Sequence, residues 1–197
     1  MKRWGNGIAL LAFVMITGAR AEDSAKTNAP TAMDQGFACV KTGDFASAVS
    51  HFQAALREDP NNRKAAVALG STYQELGRDE DAVSVTEPVV AAEPENFIAK
   101  NNLAWILATS DDADVRDAPR GLQLAREALA LAPRDFRVMS TVSEAEYASG
   151  HYEEALRLAE SALKMASTVQ GMEEHLSTYR AQVEKCRQAL QAFELAE

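Results

Sequence analysis

Reactive and metal-binding side chains are scarce in this sequence. Its 197 residues include two cysteines and three histidines. His51, His151 and His175 fall in three different predicted elements. There is no His-x-x-His or Cys-x-x-Cys spacing, no glycine-rich phosphate loop and no nucleophile elbow. Zinc, nucleotide and acyl-transfer chemistry therefore have no support in the sequence. Paired acids such as Glu153-Glu154 and Glu173-Glu174 stand at predicted helix starts, where the helix dipole favours carboxylates and no acid/base role is needed. Asp111, Asp112, Asp114 and Asp117 lack the spacing of a calcium loop. No catalytic residue, cofactor or metal is expected, and the chain is expected not to be an enzyme.

Basic residues are also in short supply, 20 against 29 acids. Such a surface repels nucleic acid and anionic lipid, and neither is an expected partner. Long apolar runs are limited to Ile8–Ile16, at the N-terminus. About ten residues fall well short of the roughly 20 that cross a bilayer as a helix. With Lys2 and Arg3 before the run and Ala19-Arg20-Ala21 after it, residues 1–21 have the layout of a secretory signal peptide cleaved after Ala21. The protein is then exported, to the periplasm if the source has an outer membrane and otherwise to the exterior, with no membrane span left after cleavage. No cysteine closely follows the run, so lipoprotein processing is not expected. Cleavage removes three bases and no acid, leaving 17 bases, 29 acids and a formal charge of −12. Residues 22–30 are polar and aperiodic, and read as a flexible lead.

Prolines and glycines are few, but they recur at a fixed spacing. Gly36, Gly43, Ala48 and Pro60 are followed 34 residues later by Gly70, Gly77, Ala82 and Pro94. A period of 34 spanning two helices indicates stacked helix-turn-helix units. Four units follow, at about 29–60, 63–94, 97–133 and 136–167. The third is lengthened by five residues between its helices, around Ser110–Ala118, and Asp117 with Pro119 reads as a helix N-cap with proline in the first turn. The fourth carries Glu146 at the aromatic position of its first helix and Ser167 in place of the closing proline, so its second helix is free to run on. Residues 171–197 read as one helix that caps the array, with Glu173, Glu174, Arg180, Glu184, Lys185, Arg187 and Gln188 forming its polar outer face. The first and last elements of such an array do not touch. Cys39, on a core position, and Cys186 are therefore expected as free thiols, because a disulfide needs Cα atoms within roughly 7 Å.

Gly70, Tyr73, Gly77, Ala82 and Pro94, with Gly36, Gly43, Ala48, Phe52, Ala55 and Pro60 in register, resemble the tetratricopeptide repeat (TPR). The resemblance implies an all-α, right-handed α-solenoid of TPR repeats with a C-terminal capping helix on residues 31–168 and 171–197. It implies a non-enzymatic scaffold for protein–protein interaction that holds a peptide segment or partner protein in a concave groove lined by the first helix of each repeat. The positions implied for that groove include Phe37, Lys64, Asn101, Asn102, Trp105, Arg137 and Tyr147. A carboxamide can donate to and accept from a peptide backbone, and the aromatics supply contact area. The basic clamp of chaperone-binding members is missing: Met33, Phe37, Ala68, Ile98 and Asn102 occupy its positions. The competing expectation is an accessory subunit of an envelope assembly that packs through its convex face or its termini.

The signal-peptide reading makes a direct prediction. Protein recovered from the envelope fraction should begin at Glu22 by intact mass, and a chain retaining Met1 would contradict it.

Overall fold

Short polar side chains start most of the helices. In the computed structural model, which describes residues 30–196, Thr31 caps α1 (Ala32–Thr42) and forms a reciprocal capping box with Asp34. Asp44 caps α2 (Phe45–Glu58) and Asn62 caps α3 (Arg63–Glu75). Asn96 caps α5 (Phe97–Thr109), which follows α4 (Asp79–Ala92). Asp117 caps α6 (Ala118–Leu131), with Pro119 in the first turn, and Asp135 caps α7 (Phe136–Ala148). Each cap satisfies a backbone N–H that the helix itself leaves without a partner. Two more helices, α8 (Tyr152–Ala166) and α9 (Leu176–Glu194), make nine among the described residues, with no strand. The protein is an all-α array of helix-turn-helix repeats of the solenoid type. The expected signal peptide and nearly all of the expected lead lie outside the described residues.

The chain divides into two compact units, with the division between Val89 and Val90. The described part of the first runs from Pro30 and contains the first repeat and most of the second. Its core is set by close approach. A Cβ built on Gly36 of α1 would lie 2.5 Å from the ring of Phe52 on α2, so only glycine admits that ring. Phe52 is fully buried and meets Phe37 edge-on, with ring centres 5.2 Å apart. Val40 completes the buried side of α1, whereas Cys39 is only half-buried, because Gly36 and Val40 face the neighbouring helix more directly. Tyr73 of α3 fills the space toward the first repeat: its hydroxyl accepts from Gln53 Nε2 at 2.8 Å, and the Arg78 guanidinium lies 4.3 Å from its ring centre. Helix α4 continues through Pro88.

In the second unit, the five extra residues close a loop between α5 and α6. Asp117 N–H donates to Leu107 carbonyl at 2.9 Å, and Asp114 N–H to Asp112 at 2.9 Å, so the acids serve local turns. Among the described residues no group of acids, histidines and cysteines is arranged to hold a metal ion. Helix α8 ends at Ala166, directly before Ser167, whereas the earlier second helices end two residues before their closing prolines. The last helix begins at Leu176 rather than Gly171, because Gly171 takes a left-handed φ of 84° and turns the chain. Glu173 and Glu174 therefore precede the helix instead of opening it.

Helix α9 packs on both helices of the fourth repeat. Val183 and Cys186 join Ala155 and Ala159 of α8 in one apolar cluster. Tyr179 meets Phe136 of α7 edge-on at 5.7 Å. The contact with α7 is otherwise polar. Ser140 Oγ donates to Gln182 Oε1 at 2.6 Å, Gln182 Nε2 donates to Ser140 carbonyl at 2.8 Å, and Lys185 reaches Glu144 at 2.5 Å. Both cysteines are free thiols.

This packing can be tested at two places. Gly36→Ala adds helix propensity of about 1 kcal/mol but overpacks Phe52 by about 1–3 kcal/mol, so thermal melts should show a net loss. Combined with Phe52→Leu, which clears the space, the same change should cost nothing further, and additive losses would refute the contact. The second place is the buried end of the array at alkaline pH. Burial pushes the Tyr179 phenol far up, and it raises the Cys186 thiol as well, against a weaker opposing effect of the Ser143 hydroxyl. The folded state thus favours both protonated forms. Their contribution is whole below the ordinary values of 9.0 and 10.0 and is lost as pH rises toward the folded ones. Denaturant midpoints should fall from about pH 9 upward, and Tyr179→Phe should flatten the part above pH 10.

Candidate recognition surface of the helix pairs

The first helices of the second, third and fourth repeats carry polar residues where a packing helix would carry apolar ones. On α3, Ser71, Thr72 and Gln74 are buried; on α5, Lys100, Asn101 and Asn102; on α7, Ser140, Thr141, Ser143, Glu144 and Glu146. Several are satisfied locally. Ser71 and Thr72 hydroxyls donate to the carbonyls of Val67 and Ala68, one helical turn back, and Ser143 Oγ donates across to Ala155 carbonyl at 2.7 Å. Lys100 forms an ion pair with Glu127 of α6, whose carboxyl is held below the usual range by that bond first and by Gln123 second.

Two carboxamides stand apart. Asn101 is 3% exposed and Gln74 is 6% exposed. The side-chain oxygens of both are withdrawn from solvent and accept no hydrogen bond among the described residues. An unpaired buried acceptor costs about 1–3 kcal/mol. Neither position is explained by packing alone.

The residues implied by the resemblance are placed unequally. In the first unit Phe37 is half-buried against Phe52, and Lys64 is exposed near the start of α3. In the second unit α5 brings Asn101, Asn102 and Trp105 together within two turns, all buried, with Trp105 8% exposed. Arg137 pairs with its own helix cap, donating from Nε to Asp135 Oδ1 at 2.8 Å, and lies 5.5 Å from the Phe136 ring centre. Tyr147 meets Tyr152 edge-on and is covered by the Lys185 ammonium 3.9 Å from its ring centre. On α7, then, Ser140, Glu144 and Tyr147 are engaged by α9.

By sequence alone Glu146 is a lapse in the repeat and His151 has no role. The structure joins them. Glu146, 2% exposed, accepts from Arg126 Nε at 3.0 Å and Nη2 at 2.7 Å on one oxygen, and its other oxygen lies 2.8 Å from His151 Nδ1. The available signal was positional: Glu146 occupies the place of Tyr73, and a carboxylate at a core position requires partners.

Comparisons with known proteins agree with this architecture. Residues 40–106 match the tetratricopeptide repeat family model. A thermophilic TPR protein of Thermus thermophilus has a similar structure, with a TM-score of 0.61 at 17% identity, over 81% of this chain and 97% of that one. MamA of Desulfovibrio magneticus RS-1 is similar over 96% of this chain and 93% of its own, with a TM-score of 0.55 and 16% identity. MamA from AMB-1 gives 0.53 at 24% identity over 84% and 90%. No match to a curated protein accompanies these likenesses. With the period of 34, the helix pairs and the family match in agreement, residues 40–106 carry tetratricopeptide repeats, in a chain whose fold is similar to that of known TPR proteins.

Proposed function

We propose that the protein is a non-enzymatic scaffold that binds a peptide segment or partner protein on the first-helix side of its repeats. The observation that carries this reading is an unmatched carboxamide in each unit, Gln74 on α3 in the first and Asn101 on α5 in the second, each taken by itself. A peptide backbone offers the N–H groups these oxygens lack. Asn101 lies one turn from Trp105, so a single helix face would offer hydrogen bonding and aromatic area together. A prestacked helical scaffold loses little entropy on binding, and a few such contacts suffice. Export after loss of residues 1–21 is part of the proposal, and it places the partner outside the cytoplasm.

A stability trade-off tests this reading. Asn101→Leu keeps the approximate side-chain size and removes the unmatched acceptor. It should raise the melting temperature, the relief being about 1–3 kcal/mol, while weakening capture of the partners retained by the wild-type protein. Gln74→Leu should behave alike. Unchanged capture with raised stability would sink the proposal, and a lowered melting temperature would show that the carboxamides serve the fold.

A further inference from the structure

The cluster of Glu146, Arg126 and His151 has a counterpart in the first unit. Gln53 and Arg126 are each the ninth residue of the second helix of a repeat, in α2 and α6. Tyr73 and Glu146 are each the eleventh residue of the following first helix, in α3 and α7. Arg78 and His151 each follow a turn glycine, Gly77 or Gly150, of positive φ. Three equivalent positions thus meet in both places. In the first unit they form a neutral hydrogen bond under a stacked guanidinium; in the second they form an ionic set around a buried carboxylate. Tyrosine and glutamine pack the slot well in the first unit. Burying a carboxylate there costs several kcal/mol of desolvation before its partners return anything, so packing does not account for Glu146.

Glu146 does fix two surface groups. The side chains of Arg126 and His151 are 59% and 56% exposed, yet both are tied to it. Arg126 spends Nε and one Nη2 hydrogen on one Glu146 oxygen, so the Nη1–Nη2 edge donates no hydrogen bond among the described residues, with the Glu154 carboxylate near enough to feel its charge. His151 uses Nδ1, leaving Nε2 without one. His151 is also the N-cap residue of α8 but makes no side-chain cap bond. Its ring is committed to Glu146 instead. Beside them lies an open hollow of about 650 Å³, lined by Pro119, Leu122, Gln123, Arg126, Glu127, Ser149 and His151. Glu127 in that wall is bound by Lys100 and Gln123, and Glu154, the acid that feels Arg126, is bonded to Arg157.

We propose that this hollow is a second binding site, on the second-helix side of repeats 3 and 4, for a peptide segment of a partner protein that carries a carboxylate next to an aliphatic side chain. The guanidinium edge matches the two oxygens of a carboxylate, and Pro119 and Leu122 receive the aliphatic neighbour. Glu146 is a positioning residue, holding Arg126 and His151 ready for contact. The site is independent of Asn101, and Asn101→Leu should not alter it.

The probe is acetyl-Leu-Glu-Leu-amide, titrated into isotopically labelled full-length protein and compared with acetyl-Leu-Gln-Leu-amide. The Arg126 Nε–H and His151 ring signals should shift saturably with the glutamate peptide, and the glutamine peptide should bind about tenfold more weakly. Arg126→Gln should abolish the His151 shift while a cooperative melt is retained. Glu146→Gln should weaken binding about tenfold through loss of positioning; if that variant does not fold, His151→Ala, at an exposed side chain, must still weaken it. Equal binding of the two peptides, or binding unaffected by Arg126→Gln, would overturn the proposal. So would signals that follow protein concentration rather than peptide, which would assign the hollow to a second copy of the chain.

Discussion

Close approach of paired helices is the constraint on which the rest depends. Where Gly36 meets Phe52 there is no room for a Cβ, and the ring in turn fills the first repeat. Alanines at 48, 82, 104, 125, 128, 155 and 159 are wholly buried for the same reason. Such contacts fix the helices tightly enough that a polar side chain on a first helix is either bonded in place or left short of a partner. That is why buried polar residues carry information here. In a loosely packed array they would turn to solvent and signify little.

The two proposed surfaces differ in how the chain deals with buried polarity. Asn101 and Gln74 are left short of partners, a standing cost that a ligand would relieve. Glu146 is fully engaged, and the exposed ends of its partners are what face outward. The first arrangement gains from being filled; the second is already set before anything binds. Helix α9 illustrates a third outcome. It supplies Gln182 and Lys185 to Ser140 and Glu144, so the end of the array satisfies its own polar positions with its own chain.

Much of this was legible because the repeat is short and local. The period of 34, the glycine turns, the Asp117 cap and the lengthened loop all rest on residues near one another in sequence. Where expectation failed, a local signal had no tertiary context. Apolar spacing from Met172 onward suggested helix, yet the left-handed Gly171 and the turns after it delay the start to Leu176. Asn101, Asn102 and Trp105 could be placed on one helix from spacing, but their burial depends on neighbours that spacing does not reveal. Glu146, Arg126 and His151 come from two repeats, and no motif links residues 20 and five apart through a carboxylate.

The burial of Trp105 has an optical consequence. The chain has two tryptophans, and the other, Trp4, lies within residues 1–21. In a chain that begins at Glu22, all indole emission would come from one ring on α5, shielded from water and one turn from Asn101. Its wavelength and its access to quenchers then report the condition of that single helix, with no label and no background from elsewhere in the chain.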